Sequence, residues 1–183
     1  NPVPSWFQEL SHVEGDLTSS DTIDEIFSFS PDFIIYLASL NHNDSELSYS
    51  RSLNINVVPL SFFVDKILKE NRNCKIIYFS TLQVYGDISK HHIIDEATKT
   101  NPLNIYGLTH LFCENILSNA LKKGLKNSVV RLSNSFGAPK FKSCNADWLV
   151  INDFCLSALN HNQIILKSDG APQRDFIYLW DVV

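Results

Sequence analysis

Two unbroken apolar runs, FIIYLA at 33–38 and CKIIYF at 74–79, constrain this chain more than anything else in it. The first is bounded by Pro31. Runs of this kind read as strands buried on both faces, the habit of parallel sheets. SVVRL at 128–132 reads as a further strand, and HVEGD at 12–16 as a short one ending in Gly-Asp. Helical patterns lie between them. Ser19 or Ser20 can cap a helix whose apolar positions Ile23, Ile26 and Phe27 follow the i, i+3, i+4 rule. Residues 54–70 form a long, broadly apolar helical pattern in which Pro59 is awkward, because an interior proline removes a hydrogen bond. Residues 106–123 give the clearest helix. Leu108, Leu111, Phe112, Ile116, Leu117, Ala120 and Leu121 are expected to lay one apolar stripe on a sheet, and Gly124 to close it.

The rest is less regular. Residues 87–102 read as a polar loop, 137–146 as irregular, 147–160 as helix, 164–166 as a short strand, and 175–183 as strand or strand then turn. There is no internal repeat. Strand and helix alternate, which predicts an α/β fold with roughly four parallel core strands in the doubly wound arrangement. The last residues, Asp181-Val182-Val183, stop without a closing Gly, Lys or polar run, so the chain is expected to be part of a longer one.

Composition narrows the classes. Of 183 residues 44% are hydrophobic, enough for a sizeable core, which excludes global disorder. With 15 basic and 20 acidic residues the net charge is −5, against a nucleic-acid footprint. No stretch is long enough to span a membrane, and Asn1-Pro2-Val3-Pro4-Ser5 lacks the positive start of a signal peptide. Cysteines 74, 113, 144 and 155 include no C-x-x-C pair. A reduced, cytoplasmic setting is the expectation.

In a doubly wound sheet, ligands bind outside the carboxyl ends of the strands. The residues there are Asp16-Leu17, Ala38-Ser39, Ser80-Thr81 and Ser133-Asn134, all small or polar directly after apolar runs. Each set alone is weak; their agreement on one edge is the signal. Tyr106 and His110 lie at i and i+4 of the clearest helix, hence on one face. They read either as a partly buried tyrosine beside a solvated histidine or as a proton-transfer pair. A tyrosine needs a nearby cation to act as a base near neutrality, and histidine supplies one only when protonated. His91-His92 with Asp95-Glu96 offers no third ligand at sensible spacing, so no metal is expected. Arg174 before an aromatic run suits an anionic substrate group or a surface ion pair.

Several segments together resemble the extended short-chain dehydrogenase/reductase family, the NAD-dependent epimerases and dehydratases that modify nucleotide sugars. STLQVYG at 80–86 is similar to its S-[ST]-x-x-V-Y-G segment, and NPLNIYGLTH at 101–110 to P-x-x-x-Y-x-x-x-K. RLSNSFGAP at 131–139 is similar to R-x-x-N-x-Y-G-P, and RDFIYLWDVV at 174–183 to R-D-F-I-Y-V-D-D-V. GDL at 15–17 and YLAS at 36–39 match its strand ends. The resemblance implies a Rossmann-type doubly wound parallel sheet, incomplete at both ends. Residues 1–183 would form one partial NAD(P)-binding domain, with roughly 139–174 beginning a small substrate-binding lobe.

It also implies roles. Asp16 and Leu17 would contact adenine, and Leu37, Ala38 and Ser39 would line the path of NAD or NADP. Asn56 would approach the cofactor side, and Ser133 would face the nicotinamide. Thr81 would hold a substrate hydroxyl or carbonyl. Tyr106 would be the acid/base, and position 110 would hold the nicotinamide ribose and lower the tyrosine pKa. Asn134 and Arg174 would hold the diphosphate of a nucleotide sugar. A homodimer, paired through helices that include the one bearing Tyr106, is implied as well.

The departures matter equally. No G-x-x-G-x-x-G loop is present, His110 stands where the family has Lys, and Pro59-Leu60 replace a Gly-Thr pair. Thr81-Leu82-Gln83 replaces the Thr-Asp-Glu of the 4,6-dehydratases, which disfavours dehydration against epimerisation or ketone reduction. Two functions follow. One is an enzyme in surface-polysaccharide synthesis, acting by hydride transfer with a protonated His110 partly replacing Lys. The other is a catalytically weak or inactive protein that binds NAD(P) or nucleotide sugar.

Overall fold

A computed structural model describes residues 10–88, 93–139, 146–166, 168–171 and 173–183. The pairs His91-His92 and Asn1-Pro2, and Cys144, lie outside these residues. The chain divides into two compact bodies, one running to Leu132 and the other from Ser133 onward.

The first body contains α1 (Ser20–Ser28), β1 (Phe33–Tyr36), α2 (His42–Glu46), α3 (Tyr49–Asn56), α4 (Val58–Lys69), β2 (Lys75–Thr81), a 3-10 turn (Leu82–Tyr85), α5 (Ile105–Lys122) and β3 (Asn127–Leu132). Its sheet runs β1-β2-β3 with every pair parallel. Helices connect the strands because parallel neighbours need a crossover. Tyr36 lies level with Tyr78 and Thr81 with Leu132, so all three strands end at one edge.

The core forms where α1, α4 and α5 meet one face of this sheet. Phe27, Leu60, Phe63, Ile67, Ile76 and Leu117 are buried there together with Tyr36 and Tyr78. Tyr36 stands edge-on to Phe63, with ring centroids 5.8 Å apart. The opposite face differs from the sequence expectation. Phe33 and Ile35 are each 62% exposed, so β1 is buried on one side only. Alternate residues of a strand point to opposite faces, and the core gathers only those on the side of Tyr36.

Three further expectations need correction. Residues 12–16 form no strand, because no strand among the described residues pairs with them. The helix expected at 54–70 is two helices broken at Val57, and it begins earlier, at Tyr49. Pro59 occupies the first turn of α4, where its missing N–H would have had no partner anyway. The expected apolar stripe of α5 lies only in part on the core side: Leu117 and Ala120 are buried and Ile116 packs against the core, but Leu108, Phe112 and Leu121 are exposed, and the polar Thr109, His110 and Glu114 are buried with Cys113. Hydrophobicity alone could not find the polar members of that face, which are matched by partners inside the fold.

Glu114 is the clearest of these. Ser80 donates to it at 2.5 Å, and Arg131 grips it with the nearest approach at 2.7 Å. Arg131 also donates to the Tyr85 hydroxyl at 2.9 Å, and that hydroxyl donates to the Asp95 carbonyl. One partly buried charge pair thus ties β2, β3, α5 and the 3-10 turn together.

The second body holds β4 (Asn134–Phe136), α6 (Val150–His161), β5 (Phe176–Tyr178) and a 3-10 turn (Leu179–Asp181). β4 and β5 pair in parallel, and Phe136 packs on Phe176 and Tyr178. Residues 164–166, expected as a strand, are irregular and exposed. α6 starts three residues later than expected and ends at Asn162, whose left-handed backbone (φ 53°) lets its N–H bond the Ala158 carbonyl.

Candidate active site

The carboxyl edge of the first sheet brings together Ser39, Thr81, Tyr106 and His110. Thr81 ends β2, and its hydroxyl accepts from the Gln83 N–H at 3.3 Å, capping the 3-10 turn. That turn swings the chain back to the start of α5. Its exit requires Gly86: at φ +73° a Cβ there would lie 1.9 Å from the Asn101 carbonyl oxygen. The α5 N-terminus is held by Asn104, which accepts from Gly107 N at 2.7 Å, and by Glu46, which accepts from Ile105 N at 2.9 Å. Gly107 is needed there as well, since a Cβ would meet the Gln83 carbonyl at 2.7 Å.

Tyr106, one residue into α5, is thereby fixed beside Thr81. Burial pushes its pKa above the ordinary value, and a hydrogen bond from Thr81 pulls part of the way back. His110 lies one turn on, its ring centroid 4.5 Å from that of Tyr106. Its nitrogens face elsewhere. Nδ1 is 2.8 Å from the Tyr78 hydroxyl and Nε2 is 3.3 Å from Ser39 Oγ. The residue is 3% exposed. Burial pushes its pKa down to about 4, with Glu114 opposing. Burial therefore works against the expected protonated His110 beside Tyr106, because desolvation outweighs Glu114, whose own charge is held by Arg131.

Two of the three expected catalytic groups converge, the hydroxyls of Thr81 and Tyr106, while the His110 ring is turned into the core. Asn56 needs a similar correction. It is 1% exposed, and its amide is committed to Leu40 N, Thr109 Oγ1 and Ser45 Oγ at 2.8, 3.0 and 3.4 Å. It braces the loop after β1 and presents nothing to solvent.

The other expected residues of this body are placed as follows. Asp16 is exposed, and its carboxylate accepts from Thr18 N at 2.8 Å, which holds its pKa below the ordinary value. Leu17 and Ala38 pack partly against the core. Leu37 is 68% exposed, and Ser39 is exposed beside it. In the second body Ser133 is half-buried, Asn134 donates to the Asp175 carbonyl at 2.9 Å, and Arg174 is exposed.

Sequence reading missed His42. Its ring stands edge-on to Tyr106, with centroids 6.2 Å apart, and its Nδ1 donates to Gln83 Oε1 at 3.1 Å. Asn104 donates to the same oxygen at 2.8 Å. Reading three residues past Ser39 would have found it. Among the described residues no cluster of His, Cys, Asp and Glu is arranged to hold a metal ion, and no helix is long and apolar enough to cross a membrane.

Comparison with known proteins places this geometry. The chain is 27% identical to the bifunctional protein GAL10 of Pachysolen tannophilus over 96% of its own length and 28% of that protein. Its structure superposes on the UDP-glucose 4-epimerase of Thermotoga maritima, solved with UDP-glucose, with a TM-score of 0.81. The sequences there are 25% identical, over 92% of this chain and 55% of the other. The UDP-glucose 4-epimerase of Thermus thermophilus, solved with NAD, shares the fold with a TM-score of 0.80 at 20% identity, over 98% and 59%. The chain thus spans less than two thirds of these relatives, and its fold is the Rossmann-type α/β fold they share. Residues 4–183 match one family description across almost the entire chain, and the protein belongs to the NAD dependent epimerase/dehydratase family.

Proposed function

We propose that the protein is an NAD(P)-dependent nucleotide-sugar epimerase or ketoreductase in which Tyr106 exchanges a proton with a sugar hydroxyl held by Thr81. The observation that carries this reading is the Thr81–Tyr106 pair, set at the sheet edge by two tight glycines and joined by a hydrogen bond that offsets part of the upward push of burial on the phenol. A bound nicotinamide supplies the hydride acceptor and donor. The exposed Leu37 and Ser39, on either side of Ala38, and the Asp16 carboxylate fit the path of such a cofactor. The chain's own residues hold and orient. Thr81 positions the substrate oxygen and Tyr106 moves its proton; by the family resemblance, Ser133 would be the residue for the nicotinamide, and Asn134 and Arg174 those for the diphosphate. Dehydration is disfavoured because Leu82 has no acid to offer and the Gln83 oxygen is already occupied by His42 and Asn104.

A second reading, a cofactor or nucleotide-sugar binder with little turnover, is favoured by one specific observation: the residue in the lysine position is buried, and burial pushes its pKa down and that of Tyr106 up. Replacing His110→Lys separates the two. Restored tuning of two pKa units corresponds to about 2.7 kcal/mol, or roughly a hundredfold in rate. The assay is interconversion of UDP-sugars with NAD by the wild-type protein, His110→Lys and Tyr106→Phe. Measurable wild-type turnover abolished in Tyr106→Phe supports the enzyme. Turnover confined to His110→Lys makes the native protein a binder, and turnover surviving Tyr106→Phe refutes the role of that tyrosine.

Homodimerisation and a cytoplasmic location belong to the same proposal. Phe62, Leu108, Phe112 and Leu121 are exposed on α4 and α5, beside a groove of about 370 Å³ lined by Val64, Leu68, Phe112 and Ile116. Cys74, Cys113 and Cys155 are free thiols.

A further inference from the structure

The direction of the hydrogen bonds around His110 determines which of its nitrogens carries the proton. Ser39 Oγ donates its one hydrogen to the Leu40 carbonyl at 2.8 Å. Toward His110 Nε2, 3.3 Å away, that oxygen can only accept. Nε2 therefore bears the hydrogen. Nδ1 of the neutral ring is bare and accepts from the Tyr78 hydroxyl at 2.8 Å. Burial keeps Tyr78 protonated, well above its ordinary range. The Cys113 thiol, which also lies against Tyr78, donates to the Asn56 carbonyl at 3.3 Å and leaves the Tyr78 proton to the histidine. The reverse arrangement would strip the Leu40 carbonyl of its 2.8 Å donor.

The same loop is held from its other side. Leu40 N donates to Asn56 Oδ1, Asn56 Nδ2 donates to Thr109 Oγ1, and Thr109 Oγ1 donates to the Tyr106 carbonyl at 2.8 Å. Two successive residues of α5, Thr109 and His110, thus fasten the turn after β1, one through Asn56 and one directly. Around the imidazole stand Tyr106 and Glu114 from α5, Tyr78 from β2 and Ser39 from the loop, with Cys113 of α5 against Tyr78. The charge on Glu114 is engaged by Arg131.

We propose that His110 is a positioning residue: locked by Tyr78 as the neutral Nε2–H tautomer, it holds the Ser39–Leu40 turn at the edge of the sheet. Its relevance to the cofactor rests on the function proposed above. The hydrogen-bond chain itself does not. The position that the family fills with a charged side chain has here become a neutral strut.

The test combines two readouts that need no cofactor. Long-range 15N spectra of the histidine rings should show His110 as the Nε2–H tautomer from pH 8 to pH 5, and Tyr78→Phe should shift the Nδ1 resonance as its donor is lost. Amide exchange at Leu40 should quicken roughly tenfold in His110→Leu and Ser39→Ala, the equivalent of one net hydrogen bond. In His110→Gln, which keeps a donor toward Ser39, it should stay near the wild-type rate. Ser39 is exposed, so its variant keeps the fold testable. An Nδ1–H tautomer or an imidazolium at pH 7 overturns the proposal, as does unchanged Leu40 exchange in both His110→Leu and Ser39→Ala. Titration with NADH runs separately: failure of the wild-type protein to bind it refutes the proposed function and leaves the tautomer result standing.

Discussion

Lowering the pH should destabilise this protein through His110 in particular, and the size of the effect follows from its burial. Unfolded, the imidazole titrates at its ordinary value of 6.5; folded, it titrates at about 4. Between those values the unfolded chain binds the proton and the folded chain does not. Stability therefore rises with pH across that window and is lost as pH falls through it. A gap of some 2.5 units at 1.36 kcal/mol each gives about 3 kcal/mol. Asp16, Glu70 and Asp95 have lowered pKa values and push in the same direction, so the wild-type curve alone does not isolate the histidine. The difference between wild type and His110→Gln does. Urea unfolding from pH 7.5 to pH 4 should show the stability difference between the two proteins shrinking by about 3 kcal/mol on the acid side, the change beginning below pH 6.5. Parallel curves would show that His110 charges freely in the folded state and would remove the basis for treating it as neutral.

Two other substitutions probe the scaffold. Gly86→Ala must place a Cβ against the Asn101 carbonyl at a positive φ, and should cost at least about 2 kcal/mol in urea unfolding; a change under half of that would mean the turn adapts. Glu114→Ala leaves the half-buried Arg131 guanidinium and the Ser80 hydroxyl without their acceptor, and should cost about 3 kcal/mol. Thermal unfolding reads it, and an unchanged midpoint would contradict a structural role for the pair.

How much of this was legible in the sequence depended on which physical signal each element carries. FIIYLA and CKIIYF announced β1 and β2 because parallel core strands are apolar without interruption, and α5 (Ile105–Lys122) declared itself by its length. The 12–16 segment did not become a strand, since a strand needs a ladder partner and apolar pattern does not supply one. Pro59 marked a boundary and was read as a flaw, although proline at a helix start costs nothing. The five-residue α2 is too short to show any period, and His42 was missed with it.

At the site, strand-end reading found Ser39 and Thr81, and helical spacing paired Tyr106 with His110. What it lacked was burial. The i, i+4 rule put His110 on the same face as Tyr106 but did not show that the face is the core side, where Tyr78 and Ser39 claim both nitrogens. Asn56 was likewise placed near the cofactor side, but not as a residue with its amide fully engaged.

Site-resolved 13C spectroscopy of the tyrosine ring carbon bearing the hydroxyl reports directly on Tyr106 through the pH range. If position 110 contributes no charge, Tyr106 stays protonated at pH 7 and titrates above the ordinary tyrosine value, while His110→Lys brings its titration down toward neutrality. A wild-type Tyr106 that deprotonates near pH 7 would contradict this, because it would require a cation beside the phenol that the neutral, core-facing imidazole does not provide.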